Sequence, residues 1–110
     1  MRCEFDYDFS GDSLYIHKKG KAVRYSLELG DDYVIDIGFD GNVVGIEIFN
    51  ASKIFKIPKY QLRKIDKATI STKFGDPIII FVHLSLGQQG SRIPVHTVAI
   101  PKAVAVSSRR

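Results

Sequence analysis

One stretch of the chain constrains the fold more than any other: two apolar runs that meet at Asp40-Gly41. An Asp-Gly pair between alternating apolar residues is the strongest short-range signal for a β-hairpin, because both central residues of a type I′ turn need a positive φ. With Asp40 and Gly41 as the two turn residues, Ile35 faces Ile46 and Ile37 faces Val44. The sequence therefore predicts a hairpin with one wholly apolar face, formed by Ile35, Ile37, Val44, Ile46 and Ile48.

The other face of this hairpin holds the first candidate binding residues. The same register places Asp36 opposite Gly45, with Glu47 one diagonal step away on the same side. Two converging carboxylates could form an acid/base pair or help to bind a hard cation, or they could simply be solvated. Gly45 beside them would admit a ligand, or would mark packing against a neighbouring chain. We expect any partner to contact this face.

The remaining elements follow from alternation and from turn residues. Pro58 fits the first position of a short helix near residues 58–65, because its missing N–H would have no partner there anyway. The strand 78–86 is apolar on both sides, which indicates a central position, whereas Pro94 argues for an edge strand. The other predicted strands cover residues 3–9, 13–17, 23–29, 53–57, 69–74 and 92–100. We expect one α+β domain, residues 1–110, that is mostly antiparallel sheet built from hairpins.

The net charge of +4 hides a division between the two halves of the chain. Residues 1–52 carry five basic and ten acidic residues, a net charge of −5, whereas residues 53–110 carry eleven basic and two acidic residues, a net charge of +9. Such asymmetry can indicate a surface for nucleic acid, but it can equally mean that the halves attract each other within one chain or between two copies. The charge pattern leaves both interpretations open.

The basic residues are concentrated between Lys53 and Lys67. Lys59, Arg63 and Lys67 recur at four-residue spacing, which on a helix places them along one face. Cations interleaved with aromatic rings can contact phosphates and stack a base, although a solvated helix face that offsets the acidic half is the plainer interpretation. Lys59, Arg63 and Lys64 are the candidate binding residues here. The whole segment includes Lys53, Lys56, Lys59, Arg63, Lys64 and Lys67, with Phe55 and Tyr60 among them.

The histidines and the lone cysteine give weaker signals. If the loop between their strands holds four residues, His83 and His96 face each other and form half of a transition-metal site, or a plain cross-strand pair. His17 cannot be brought near them by any argument from sequence. Cys3 has no oxyanion motif around it and no second cysteine with which to form a disulfide. We therefore expect no metal and no cofactor.

Location follows from what the sequence lacks. The first residues include no apolar stretch of secretory length, and no apolar run approaches the roughly 20 residues that a membrane-spanning helix needs. We therefore expect a cytoplasmic protein without a membrane partner.

Two further motifs carry a family resemblance. The chain has Tyr7-Asp8, then Asp12-Ser-Leu-Tyr-Ile16, and then the hairpin with Asp40-Gly41, Val44-Gly-Ile-Glu-Ile48 and Ala51-Ser52. Over about residues 5–52 it resembles the prokaryotic domain-of-unknown-function family 2283. The resemblance implies an acidic, β-rich module without established catalytic activity and suggests an antitoxin-type or other protein-binding role. The basic helix and β extension of residues 53–110 fall outside it.

The sequence thus favours a non-enzymatic interaction or regulatory module. It contains no phosphate-cradling glycine-rich loop, zinc-ligand spacing or triad-like arrangement. Exposed sheet edges and halves of opposite charge favour a homodimer, formed by strand addition or by charge-matched faces. The alternative is a nucleic-acid-binding protein that uses the segment from Lys53 to Lys67.

Overall fold

Two antiparallel sheets and two short helices make up the part of the chain that the computed structural model describes, residues 2–87 and 93–101. This architecture confirms the α+β class, dominated by antiparallel strands. In chain order the elements are β1 (Cys3–Asp8), β2 (Ser13–Lys18), β3 (Val23–Leu29), β4 (Tyr33–Gly38), β5 (Val43–Ile48), α1 (Ala51–Phe55), α2 (Lys59–Leu62), β6 (Lys67–Lys73), β7 (Ile78–Ser85) and β8 (His96–Ile100).

The acidic half of the chain forms a five-stranded sheet with the order β1-β2-β5-β4-β3. Period-two alternation decides which side of each strand is buried. In β2, for example, Leu14 and Ile16 are fully buried, whereas Tyr15 between them points to the opposite face and is half-buried. Pairing β2 with β5 brings the first hairpin beside the second, so β1 and β3 become the two edges of the sheet.

The basic half contributes a three-stranded sheet with the order β6-β7-β8. The predicted central position of the strand 78–86 is confirmed, because β7 pairs with both neighbours. The predicted strand 92–100 begins at His96 in the structure, and the predicted turn at residues 87–90 lies largely outside the described residues. Within the described residues, no helix is long and apolar enough to cross a membrane.

The connection between the sheets corrects one prediction. Residues 53–57 were expected to extend as an edge strand, but the chain forms helix α1 there. Asn50 turns the backbone with a φ of 54°, and the carboxylate of Asp12 accepts the backbone N–H of Ser52 at 3.0 Å. The helix is thus started by a contact from the β1–β2 turn, 40 residues away. The expected short helix after Pro58 is present as α2.

One hydrophobic core joins the two halves of the chain. Its fully buried members include Ile35 and Ile46 from the first sheet and Ile80 from the second, and Phe55 of α1 and Leu62 of α2 belong to the same cluster. Each element contributes only the face that alternation assigns to the core. The outer face of the five-stranded sheet therefore lies on the side turned away from this core.

The turn between β4 and β5 differs from the predicted two-residue turn. Gly41 has a φ of 83°, but Asp40 has no positive φ. The backbone N–H of Gly41 donates to the carbonyl of Gly38 at 3.1 Å, so Phe39 and Asp40 occupy the centre of the turn. Gly41 then follows as a left-handed residue, which makes a three-residue loop. The Asp40 side chain stabilises it by accepting two hydrogen bonds from Asn42.

The longer loop changes the register only locally. Ile37 faces Val43 instead of the predicted Val44, and the register shifts between Asp36 and Ile37. This bulge restores the predicted pairing of Asp36 with Gly45. As a result Val43, not Val44, enters the core, and Val44 is buried against Gly38.

Candidate functional site

Two rows of residues run across the outer face of the five-stranded sheet, and we call them together the outer polar face. The strand registers align the first row as Glu4, His17, Gly45, Asp36 and Ser26, and the second as Asp6, Tyr15, Glu47, Val34 and Glu28. Half of these ten positions are carboxylates, and none is Lys or Arg. The face is therefore a patch of one charge sign, which attracts cationic groups.

Asp36 lies near the centre of this face and is the one buried charged residue among the described residues, with 7% of its surface exposed. The Tyr15 hydroxyl donates to its Oδ2 at 2.7 Å, and the Ser26 hydroxyl donates to its Oδ1 at 2.6 Å. A buried carboxylate needs such donors, since burial without them would cost several kcal/mol. Three strands thus fix the position of one carboxylate.

Gly45 makes this arrangement possible. A Cβ atom at this position would lie 2.9 Å from Oδ2 of Asp36 and 3.2 Å from the Tyr15 hydroxyl oxygen. The sequence left open whether the glycine admits a ligand or a packed neighbour. In the structure the space above Gly45 is occupied by the side chains of Asp36, Tyr15 and His17.

Tyr15 connects the two rows. Its ring stacks on His17 with centroids 5.8 Å apart, and Glu47 is its direct cross-strand partner. Burial, the hydrogen bond to Asp36 and the nearby charges of Asp36 and Glu47 all raise the pKa of Tyr15 above its usual value. A phenol with a raised pKa keeps its proton and remains a hydrogen-bond donor to Asp36.

A second cluster contains the same residue types, one Tyr, one Asp and one Ser, but it lies beside the start of helix α1. The Tyr7 hydroxyl donates to Oδ1 of Asp12 at 2.6 Å, and the Ser52 hydroxyl donates to Oδ2 at 2.6 Å. Burial opposes ionisation of Asp12, but the bonds from Ser52 and Tyr7 outweigh it and hold the pKa of this carboxyl below its usual value. Because Asp12 also accepts the Ser52 backbone N–H, this cluster caps α1 and holds the β1–β2 turn against it.

The basic candidates do not form one helix face. Lys59 Nζ lies 4.7 Å and Arg63 Cζ 4.6 Å from the centre of the Phe9 ring, so two cations flank one half-exposed aromatic side chain. Lys64 lies instead beside Tyr60, with its Nζ 6.0 Å from the ring centre. Helix α2 ends at Leu62, and Lys67 is the first residue of β6. The prediction that Lys59, Arg63 and Lys67 lie along one helix face is therefore wrong.

The two aromatic residues of the basic segment differ in burial. Phe55 was expected among the surface cations, but it is 8% exposed and belongs to the core. Tyr60 is 59% exposed and remains available at the surface.

The two histidines do not face each other. Val82 is the partner of His96 in the register of β7 and β8, so His83 projects from the opposite face of this sheet and is exposed. His96 contacts the Tyr33 hydroxyl at 2.7 Å and the edge of the Phe55 ring, and burial lowers its pKa. The facing arrangement on which both interpretations of this pair depended, half of a metal site or a plain cross-strand pair, is therefore not present. The described residues contain no group of three or more His, Cys, Asp or Glu side chains that could hold a metal ion.

Sequence reasoning found Asp36, Gly45 and Glu47 but missed Tyr15, His17 and Ser26. These three lie on β2 and β3, outside the hairpin, and reach the site only through strand pairing across the sheet. The usable signal was the outward alternation of Tyr15 and His17 between buried residues. It could not identify β5 as the neighbouring strand.

Comparison with known proteins finds a family match for residues 4–52. They match the family described as "Protein of unknown function (DUF2283)", which confirms the resemblance seen in the motifs. The chain is 47% identical over 64 residues to an uncharacterised protein of Methanocaldococcus jannaschii, an alignment that covers 58% of this chain and 54% of the relative. No solved structure matches the chain.

A second relative carries a more specific name. A Methanosarcina mazei protein named "Putative hypoxanthine phosphoribosyltransferase" is 40% identical over 62 residues, which cover 56% of this chain and 50% of that protein. The chain thus spans about half the length of the curated relatives it matches.

Proposed function

We propose that the protein is a small, non-enzymatic, cytoplasmic interaction module that binds a basic partner protein through the outer polar face and that also associates with itself. An antitoxin-like role, in which an acidic module neutralises a basic partner, fits this chemistry. The observation that carries the proposal is Asp36, a carboxylate that is buried and hydrogen-bonded on the face away from the core.

Asp36 supports a binding role because the core does not require it. The apolar faces of β4 and β5 would pack equally well with a neutral residue at this outward position. The chain instead buries a charge there and supplies Tyr15 and Ser26 to hold it. Fixed polar groups lose less entropy when a partner binds, since their side chains are already ordered.

The surrounding charges define the chemistry of the partner. Asp36 is flanked by Glu47, and Glu4, Asp6 and Glu28 extend the negative charge to both edges of the sheet. Complementary charge steers association and selects against acidic partners. The flat stacked pair of Tyr15 and His17 adds an aromatic surface on which a guanidinium group can lie. We therefore favour an arginine-containing protein surface.

The enzyme name carried by the Methanosarcina mazei relative does not change this proposal. That protein is about twice as long as the segment it shares with this chain, so the name describes much that the alignment does not cover.

Charge reversal on the outer polar face tests the proposal. Tagged wild-type protein and the variant Glu47→Lys would be used to capture partners from cells of the source organism, followed by calorimetric titration of each purified partner. Glu47 is half-exposed and makes neither of the Asp36 hydrogen bonds, so its replacement removes neither donor. We expect a basic protein that binds the wild type and binds the variant at least tenfold more weakly.

The matched control is Asp31→Lys, which makes the same charge change in the exposed turn between β3 and β4. It should bind the partner as the wild type does. A partner that binds all three proteins equally, or a partner that is acidic, would refute the role of this face.

Nucleic-acid binding through the basic segment is the second candidate. The observation that favours it is Tyr60, an exposed ring with Lys64 beside it and with Lys59 and Arg63 nearby in the chain. An exposed aromatic ring among cations can stack a base while the cations contact phosphates. We give it second place because α2 is a single short turn and presents no groove-reading element.

This candidate is tested with labelled single-stranded DNA and RNA oligonucleotides at several salt concentrations. Binding should weaken steeply as salt rises, and the triple variant Lys59→Glu, Arg63→Glu and Lys64→Glu should lose it. Tyr60→Ala should weaken it without changing the salt dependence. An absence of binding by the wild type at low salt would eliminate this function.

A further inference from the structure

The strand β3 forms one edge of the five-stranded sheet, and β4 is its one strand neighbour in the described chain. Residues 25–29 pair regularly with β4, and an irregularity between Val23 and Tyr25 ends the regular segment. An edge of this kind presents backbone N–H and C=O groups that another strand can pair with.

The side chains along β3 are complementary to a second copy of β3. Arg24, Ser26 and Glu28 are exposed. In an antiparallel pair of two β3 strands centred on Ser26, Glu28 of each copy lies opposite position 24 of the other. Arg24 is the extra residue at the irregularity and is exposed, so its long side chain can reach Glu28 of the other copy from there. The two opposite-charge pairs then lie on either side of the two Ser26 residues.

Other registers lack this match. A shift of one residue on each strand centres the pair on Tyr25 or on Leu27. In the first case Arg24 faces Ser26, and in the second Glu28 faces Ser26, so neither forms an opposite-charge pair. Among the described residues of its own chain neither Arg24 nor Glu28 has an ion-pair partner. These charges are therefore available to a second copy.

We propose that two copies of the protein associate through antiparallel pairing of their β3 strands about a twofold axis at Ser26, with Arg24 of each copy paired with Glu28 of the other. The proposal rests on the self-association included in the proposed function and gives it a surface. It joins two five-stranded sheets into one ten-stranded sheet and places the outer polar faces of both copies side by side.

Reciprocal charge reversal is the sharpest test, because it distinguishes a specific pair from a general effect of charge. We expect a dimer mass for the wild type by size exclusion with light scattering at micromolar concentration. Arg24→Glu and Glu28→Arg each replace two opposite-charge pairs by two like-charge pairs, so each should weaken dimerisation on the order of tenfold to a hundredfold. The double variant, with both changes, should restore the dimer.

Two control variants make equivalent charge changes elsewhere. Lys53→Glu lies on α1, and Glu4→Arg lies on β1 at the opposite edge of the same sheet; both positions are exposed. Neither should affect the dimer. Dimer loss in Lys53→Glu would indicate that charge-matched faces, and not β3 edges, hold the copies together.

A cysteine at the symmetry centre provides an independent measurement. Residues directly opposite in an antiparallel pair have Cα atoms about 4.5–5.5 Å apart, within the range that a disulfide spans. In a Cys3→Ser background, Ser26→Cys should form a covalent dimer under mild oxidation, whereas Lys53→Cys in the same background should not.

The outcomes separate this proposal from the proposed function. A dimer that persists in Arg24→Glu, or a double variant that is not restored, refutes the β3 interface while self-association through another surface stands. A wild type that is monomeric throughout the micromolar range refutes self-association and the β3 interface together. Binding of a basic partner by the outer polar face is measured separately and would survive either result.

Discussion

Asp12 and Asp36 have nearly identical hydrogen-bond partners and very different surroundings. Each carboxylate accepts one tyrosine hydroxyl and one serine hydroxyl at 2.6–2.7 Å. Asp12 also accepts a backbone N–H at the start of α1, and it lies in a turn with a φ of 52°. Asp36 lies within a regular strand on the outer polar face, and its two donors are both side chains.

The difference shows how to separate a structural carboxylate from a candidate binding residue. A carboxylate that accepts backbone N–H groups determines the course of the chain, because those groups would otherwise lack partners. A carboxylate held by side chains alone leaves the backbone unchanged when it is removed. By this criterion Asp12 belongs to the fold and Asp36 remains a candidate binding residue.

The largest expected effect separates the two carboxylates directly. Asp12→Ala removes the cap of α1 and leaves the hydroxyls of Tyr7 and Ser52 without their acceptor, so we expect the free energy of unfolding to fall by about 2 to 3 kcal/mol. Asp36→Ala should lower it by only about 1 kcal/mol, since the backbone keeps its bonds. Urea denaturation followed by circular dichroism measures both.

Asp31→Ala, in an exposed turn, is the control and should change the free energy of unfolding by less than about 0.5 kcal/mol. Equal losses in Asp12→Ala and Asp36→Ala would remove the distinction between the two clusters.

A smaller effect tests the packing around Asp36. Gly45→Ala would bring a methyl group to 2.9 Å from Oδ2 of Asp36, so Asp36 or Tyr15 must move. We expect a loss of about 1 to 2 kcal/mol in the free energy of unfolding, within the range for overpacking. Gly75→Ala is the matched control, because its Cβ would meet its nearest neighbour, the Pro77 carbonyl oxygen, at an ordinary 3.5 Å. If Gly45→Ala leaves the free energy of unfolding unchanged, the side chains of Asp36 and Tyr15 above Gly45 are loosely packed.

The smallest effect is a shared dependence on alkaline pH. Burial and the hydrogen bonds to Asp12 and Asp36 raise the pKa of Tyr7 and of Tyr15. Above pH ~10, where a free tyrosine ionises, the unfolded chain loses these protons before the folded protein does. The stabilisation by each protonated phenol is therefore complete below that pH and declines as the pH rises.

Denaturation of the wild type between pH 8 and 11 should show this decline, and Tyr7→Phe and Tyr15→Phe should each reduce its slope. A slope that is unchanged in both variants would show that neither hydrogen bond responds to tyrosine ionisation. A change in one variant alone would show that the hydrogen bond of the other tyrosine, whose replacement leaves the slope unchanged, is the weaker one.

The sequence predicted the parts of the molecule that depend on local periodicity. Alternation placed Ile35 and Ile46 in the core, and the apolar character of both sides of the strand 78–86 placed β7 in the centre of its sheet. Period-two patterning decides these features because a slip of one residue would turn every apolar side chain outward. The α+β class followed from the same signal.

The wrong predictions concern features that distant residues decide. The helix α1 depends on Asp12, far away in the sequence, and so its residues were assigned to a strand. The relation of His83 to His96 depends on a loop whose length the sequence does not define. The prediction of a two-residue turn at Asp40-Gly41 was wrong because the loop contains three residues. Phe39 and Asp40 occupy the centre of the turn, and only Gly41 needs a positive φ.

The bond between Asp12 and Ser52 also bears on how this segment combines with others. These two residues lie 40 positions apart, Ser52 is the last residue of the segment that matches the family, and their contact closes that segment on itself. A segment fastened in this way can be fused to different neighbours without rearrangement of its own strands.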